Sequence, residues 1–134
     1  MVANEKPLNI IPFDKIRYVK DIENYYICFY CQDKEFNSVI NNPQKYLSIF
    51  KRCKGLIGFD YSIHTDFPIT LQKFLMFSNL SLTYYYGFNN IKVIPNIRYG
   101  LDETADEFLK AIPKNQLISI GTYGFCKTNE EKKR

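Results

Sequence analysis

The length, composition and charge of this chain are those of a small globular domain. Its 134 residues fit one domain with a sizeable core, and its hydrophobic share of 46% and charged share of 24% are ordinary values. The net charge of +4 is not concentrated: residues 127–134 carry half of it, and no basic run precedes them. A dedicated nucleic-acid binder is therefore only weakly supported.

The sequence also lacks the features of membrane, secreted and metal-binding proteins. No apolar stretch approaches the roughly 20 residues that cross a bilayer, and residues 1–7 lack a secretory signal, so we expect a cytoplasmic protein without a membrane partner. Cys28 and Cys31 are spaced C-x-x-C, but they fall in a predicted strand, where this spacing sends the sulfurs to opposite faces. We expect four reduced thiols and no metal site, and no cofactor is indicated.

Short apolar runs alternate with helical segments along the chain. A lead-in over residues 1–21, expected to add an edge strand or a helix, precedes an α/β core over residues 22–126 and a disordered charged tail over residues 127–134, all within a single domain. Strands are predicted at residues 25–31, 55–60, 91–95 and 116–120. Helices are predicted at residues 33–41, 43–52, from 66 through 86, and 104–112, with Asn42, Asp66 and either Asp102 or Thr104 as caps.

This alternation predicts parallel strands, because each return to the sheet requires a crossover. The expected fold class is α/β, with repeated β-α units and a mainly parallel sheet that is open or half-barrel-like. Four units are about half of a closed eight-fold barrel. Exposed edge strands pair with other chains, so a homodimer is a possible assembly.

Polar residues or glycines follow every predicted strand. Ligands of parallel α/β sheets bind beyond the carboxyl ends of the strands, so these exits define a candidate crevice. The candidate catalytic residues are Asp60, Ser62, His64 and Asp66, with Asp60 and Asp66 as an acid/base pair or as cation ligands. The candidate ligand-binding residues are Gln72, Asn96, Arg98, Gly121, Thr122, Tyr123 and Gly124.

Each candidate also has a structural interpretation. Asp66 is equally suited to capping a helix, and His64 to a solvated loop. Arg98 either binds an anion or forms a structural salt bridge with Asp60. Ser62 lacks the neighbourhood of an activated nucleophile, and the glycines are typical of turns.

Aromatic residues are abundant, with 11 Tyr and 11 Phe, which favours an aromatic-rich core. Tyr84, Tyr85 and Tyr86 are consecutive in a predicted helix, so they face several directions and at least one ring is expected to be exposed. That ring would contact a partner or stack on a base. The alternative is that the helix end packs on the sheet.

Four motifs follow one another along residues 25–126. They are Asn42-Pro43-x-Lys45-Tyr46-Leu47, Gly58-Phe-Asp60-Tyr-Ser62 with Asp66, Pro68 and Gln72, Ile94-Pro-Asn96-Ile-Arg98-Tyr-Gly100, and Ile112-Pro-Lys114-Asn115 leading to Ile120-Gly-Thr-Tyr-Gly124. In this order they resemble the domain-of-unknown-function 4417 family of phages, plasmids and other mobile elements. Similar sequences continue with another helix and strand and often have His at the position of Tyr123. The resemblance therefore implies a shortened copy that has a binding role in place of activity.

Two functions remain at this point. The first is a phage or mobile-element accessory protein that binds a host protein and inhibits host defence. The alternative is a nucleotide- or nucleic-acid-processing enzyme in which Asp60 acts as a base or metal ligand, Arg98 as an anion clamp, and the loop from Gly121 to Gly124 as a phosphate seat.

Overall fold

The computed structural model of the protein describes residues 5–121. Its centre is a four-stranded sheet in which all neighbours are parallel and follow chain order. The strands are β1 Ile10–Pro12, β2 Tyr26–Cys28, β3 Gly55–Ile57 and β4 Val93–Ile94. The predicted α/β class and parallel pairing are confirmed. Because the strand order never reverses, the crossovers progress in one direction, as they do in a barrel, and the sheet is open within the described residues.

Four α-helices connect or follow these strands. They are α1 Asp33–Asn41, α2 Leu47–Arg52, α3 Ile69–Phe88 and α4 Asp102–Lys110, and 3-10 turns cover Phe13–Tyr18, Ile22–Asn24 and Pro43–Tyr46. The predicted cap at Asn42 is confirmed, since its side chain accepts a hydrogen bond from the Lys45 amide at 3.3 Å. No helix within residues 5–121 is both long enough and apolar enough to cross a bilayer.

Two predicted helix starts are corrected. Helix α3 begins at Ile69 with Pro68 in the N-cap position, so Asp66 does not cap it. Pro68 has extended backbone, and a residue before proline is disfavoured in helical conformation, which prevents an earlier start. Helix α4 has Leu101 at its N-cap. The Thr104 hydroxyl, already inside the first turn, donates to the Leu101 carbonyl at 2.7 Å.

One end of the sheet agrees with the expectation, since the lead-in adds an edge strand, and the other end differs from it. The lead-in contributes both β1 and the 3-10 turn Phe13–Tyr18. The predicted strand at residues 116–120 is reduced to one parallel bridge between Asn96 and Ser119. Pro95 accepts a hydrogen bond from the Ser119 amide at 2.9 Å, but proline has no N–H to donate, so the bridge cannot extend back along β4 into a full strand ladder.

The core lies mainly on the helix-covered face of the sheet. Ile27, Leu56 and Val93 form one register row and belong to the large cluster on that face. The next row, which includes Cys28, belongs to a smaller cluster on the opposite face. The predicted aromatic-rich core is confirmed, with rings in mutual contact from Phe13, Phe29, Phe36, Phe50, Phe59 and Tyr86.

The cysteines agree with the predicted thiols. Cys28 packs in the smaller cluster, whereas Cys31 packs against the large one, so the two side chains take opposite faces. Cys28, Cys31 and Cys53 are free thiols, and burial raises the pKa of each. Cys126 lies outside the described residues.

Candidate functional site

Side chains that follow β2, β3 and β4 meet Ser119 of the bridged segment in one polar group. We call this group the strand-end cluster and define it as Tyr30, Asp60, Asn96, Arg98 and Ser119. Asn96 is its centre: its amide nitrogen donates to Asp60 Oδ1 at 2.7 Å, and its amide oxygen accepts from the Tyr30 hydroxyl at 2.7 Å. The Tyr30 hydroxyl is also 2.9 Å from Ser119 Oγ. Parallel strands end at the same edge of a sheet, which is why the residues after β2, β3 and β4 meet here.

Asp60 is the electrostatic focus of this cluster. Arg98 Nη1 is 3.8 Å from Asp60 Oδ1, and the two side chains are only 11% and 13% exposed. Burial raises the pKa of Asp60 to about 6, while Arg98 and the Asn96 hydrogen bond oppose that rise and the Asp33 charge adds to it. The predicted structural salt bridge is therefore present, and the carboxyl group titrates close to neutral pH.

Ser62 is held next to the cluster by α1. The Asp33 carboxylate, on the first residue of that helix, accepts hydrogen bonds from the Ser62 amide at 3.2 Å and from the Ser62 hydroxyl at 3.3 Å. The carboxylate that acts on Asp60 is thus Asp33. The sequence indicated Asp33 as the start of a predicted helix and assigned it no role.

His64 and Asp66 lie away from the strand-end cluster. Both are exposed, and the His64 ring packs edge-on against Phe67 with centroids 4.9 Å apart. Asp66 occupies an exposed turn before α3, whereas the Asp60 side chain is only 13% exposed, so the geometry does not support the predicted pairing of these two carboxylates. Within residues 5–121, no group of three or more His, Cys, Asp or Glu side chains could hold a metal ion.

Gln72, predicted to face the crevice, is instead fully buried. Its amide nitrogen donates to the Phe67 carbonyl at 2.8 Å, and its amide oxygen accepts from the Leu101 amide at 2.9 Å. The side chain therefore ties together the loops that precede α3 and α4.

Gly121 is the last residue described and lies against Tyr30. A Cβ at this position would come within 2.5 Å of the Tyr30 ring, so glycine permits the close approach of this segment to the strand-end cluster. Thr122, Tyr123 and Gly124, the other members of the predicted glycine loop, lie outside the described residues.

The tyrosine run packs largely inward. Tyr86 is fully buried, and its hydroxyl donates to the Pro43 carbonyl at 2.8 Å. Tyr84 and Tyr85 are half-buried, and the Tyr84 hydroxyl donates to the Ala111 carbonyl. Tyr86 is thus unavailable to a partner, and the alternative interpretation, helix packing, applies to it.

Three phenylalanines on α3 are exposed instead, and we call them the α3 stripe: Phe74, Phe77 and Phe88. Their exposed fractions are 60%, 67% and 87%. Phe77 and Phe88 follow Phe74 by three and fourteen residues, and these spacings place all three side chains on one side of an α-helix. Because α3 is rich in apolar residues on every side, sequence periodicity did not separate this outer face from the inner one.

Comparison with known proteins supplies the family. Residues 1–134 match the family described as a domain of unknown function, DUF4417. This chain belongs to the DUF4417 family. It is also similar to the Gene 1 protein of Mycobacterium phage L5, with 23% identity over 96 residues, which cover 72% of this chain and 42% of the phage protein. No solved structure matches.

These findings connect the DUF4417 chain with phages and support a phage accessory protein. The chain spans less than half the length of the phage relative, and neither name specifies an activity. The match confirms the resemblance that the ordered motifs indicated.

Two members of the strand-end cluster of this DUF4417 chain were missed from sequence. Tyr30 was treated as part of a strand, although it follows Cys28 by two residues and so continues the same face toward the carboxyl end. Ser119 was treated as an interior strand residue. A polar residue at the end of an otherwise apolar run is the signal that could have found both.

Proposed function

We propose that this DUF4417 protein is a phage accessory protein that binds a host protein through the α3 stripe. The exposure of Phe74, Phe77 and Phe88 supports this proposal. Burying a phenylalanine side chain stabilises a protein by roughly 1.5–3 kcal/mol. A partner that covers the stripe therefore gains binding free energy from several rings on one rigid helix.

The charge of α3 favours an apolar partner surface. Its twenty residues include one charged side chain, Lys73, which pairs with Glu107 of α4 at 3.0 Å. The complementary partner is a host protein with an uncharged apolar groove, which would receive the helix in the helix-in-groove mode. A bound helix blocks such a groove without any catalytic step. We therefore propose that the protein inhibits a host defence protein by occupying its groove.

Site-specific photo-crosslinking in host cells tests this proposal. A photoreactive phenylalanine analogue at position 77 is expected to form an adduct with one host protein. The same analogue at position 8 is the control, because Leu8 is 89% exposed but lies outside α3. Equal labelling from both positions, or adducts only between two copies of this chain, would contradict the proposal; the latter result would identify the possible homodimer instead.

The strand-end cluster supports a second candidate, a nucleotide- or nucleic-acid-processing enzyme. Asp60 is a largely buried carboxyl group with a pKa of about 6, next to Arg98 and Asn96. A carboxyl group that titrates near neutrality is suited to general acid/base catalysis. Asp60 would exchange the proton or bind a divalent cation, and Arg98 would orient an anionic group.

Thermal shift measurements with nucleotides, nucleic acids and divalent cations test this candidate. A ligand of the cluster raises the melting temperature of the wild type by mass action. Asp60→Asn is expected to keep the fold and lose the ligand-dependent shift and any associated activity. Uniformly flat responses, or shifts that persist in Asp60→Asn, would exclude the cluster as the site.

A further inference from the structure

A small groove lies at the amino-terminal edge of the sheet, opposite the strand-end cluster. Its volume is about 90 Å³. That volume is far below the roughly 300 Å³ of a pocket for a whole organic ligand. The groove is lined by Glu5, Lys6, Pro7, Leu8, Tyr26, Lys54 and Lys92. Its size suits one compact chemical group.

The sheet positions the lining residues. Lys54 directly precedes β3 and Lys92 directly precedes β4, and neighbouring strands lie about 4.8 Å apart. The Leu56 amide donates to the Lys92 carbonyl at 2.8 Å, which fixes the two strand starts side by side. Tyr26 pairs in register with Gly55, where a Cβ would overlap the tyrosine ring. Glycine at position 55 therefore lets the Tyr26 ring lie across the sheet beside both lysines.

The charges at the groove favour an oxyanion. Three of its residues are lysines and one is a glutamate. Glu5 Oε1 is 3.9 Å from Lys92 Nζ, and these side chains are 81% and 46% exposed, so the pair is weak and readily exchanged. Burial and then the Glu5 charge raise the pKa of Tyr26. Its hydroxyl, protonated at neutral pH as in any tyrosine, is available as a hydrogen-bond donor. A dianion complements the excess of cationic side chains.

We propose that this groove binds the terminal phosphate of a small phosphorylated ligand. Lys6, Lys54 and Lys92 supply positive charge, the Tyr26 hydroxyl supplies a hydrogen bond, and Glu5 competes with the ligand for Lys92. Lysine is a common phosphate ligand that acts as a point charge. The small volume means that only the phosphate is enclosed while the rest of the ligand stays in solvent. This site is independent of the α3 stripe and of the strand-end cluster.

An NMR titration with inorganic phosphate at constant ionic strength tests the site. Saturable shifts are expected at the amides of Tyr26, Gly55 and Lys92. Lys54→Gln and Lys92→Gln are each expected to weaken binding roughly two- to fivefold, the range for one exposed ion pair. Glu5→Gln is expected to tighten it, since the competing carboxylate is removed. The matched control is the exposed Lys34→Gln on α1, which should leave the affinity unchanged.

Two further ligands distinguish the source of the phosphate. Ribose 5-phosphate is expected to shift the same amides as inorganic phosphate, and single-stranded DNA without a terminal phosphate is expected to bind more weakly. Equal shifts with chloride, an affinity insensitive to the Lys54 and Lys92 substitutions, or tighter binding of the DNA than of phosphate would each overturn the proposal. The last result would indicate a nucleic-acid surface.

Discussion

The folded protein is less stable with Asp60 charged than with Asp60 protonated, because burial of the carboxylate outweighs its favourable contacts. Burial raises its pKa from 3.8 to about 6 even though Arg98 and Asn96 favour the carboxylate. Between about pH 4 and pH 6 the folded protein holds a proton at Asp60 that the unfolded chain releases. The contribution of Asp60 to stability is therefore greatest at low pH and is lost as the pH rises through about 6.

Comparison of the wild type with Asp60→Asn measures this contribution. Asparagine cannot ionise, so its stability does not fall as Asp60 would lose its proton. As the pH rises from about 4 to about 7, the free energy of unfolding of the variant is expected to increase by ~2–3 kcal/mol relative to that of the wild type. Urea unfolding at several pH values provides the measurement. Parallel stability curves for the two proteins would show that Asp60 has an ordinary pKa.

At the scale of residues, the sequence predicted which side chains lie close together where the direction of the strands alone decides it. Asp60, Asn96 and Arg98 were expected to meet because each follows a parallel strand, and they do. It was less successful for Gln72 and Tyr86, which lie on a helix. The direction of a helical side chain depends on the rotation of the helix about its axis, and an apolar helix such as α3 gives little indication of that rotation.

Helix α3 approaches the segment after β3 very closely, and Gly58 makes that approach possible. A Cβ at Gly58 would lie 2.6 Å from Thr83 Oγ1 and 3.3 Å from the Ile94 carbonyl oxygen. Thr83 is buried, and its hydroxyl donates to the Asn79 carbonyl at 2.8 Å. Neither neighbour is the free end of a flexible side chain, so the packing cannot adjust without cost.

Gly58→Ala is therefore expected to lower the free energy of unfolding by roughly 1–3 kcal/mol, the usual cost of overpacking. Thr83→Ala removes the main obstacle, so the double variant should be more stable than the sum of the single effects predicts. Chemical denaturation of the four proteins gives the coupling energy. Strict additivity would mean that Gly58 and Thr83 do not contact each other.

The start or end of a helix or strand could be predicted only where a single residue determines it through its own local contacts, as a helix cap does. Asn42 before Pro43 marks a helical start in the sequence and in the structure. The effects of Pro68 and Pro95 were underestimated. The first delays α3, and the second limits the pairing of residues 116–120 with the segment after β4, because proline cannot donate to the strand ladder.

At the scale of the whole molecule, three separate surfaces carry the proposals. The strand-end cluster lies where the parallel strands end, and the groove lined by three lysines lies where they begin. The α3 stripe lies on the helical layer. The cluster could be expected from strand polarity, whereas the stripe and the groove depend on how helices and edges pack. Substitutions in one surface are therefore expected to leave the other two functional.

The central claim is that the α3 stripe binds a host protein. Its most direct test is the dissociation constant for the host protein captured by crosslinking at position 77, measured with the wild type, a Phe74→Ser/Phe77→Ser variant and a Leu8→Ser control. Loss of two central aromatic contacts is expected to weaken binding by about 30-fold or more, with Leu8→Ser unchanged. A folded double variant that binds as tightly as the wild type would contradict the claim.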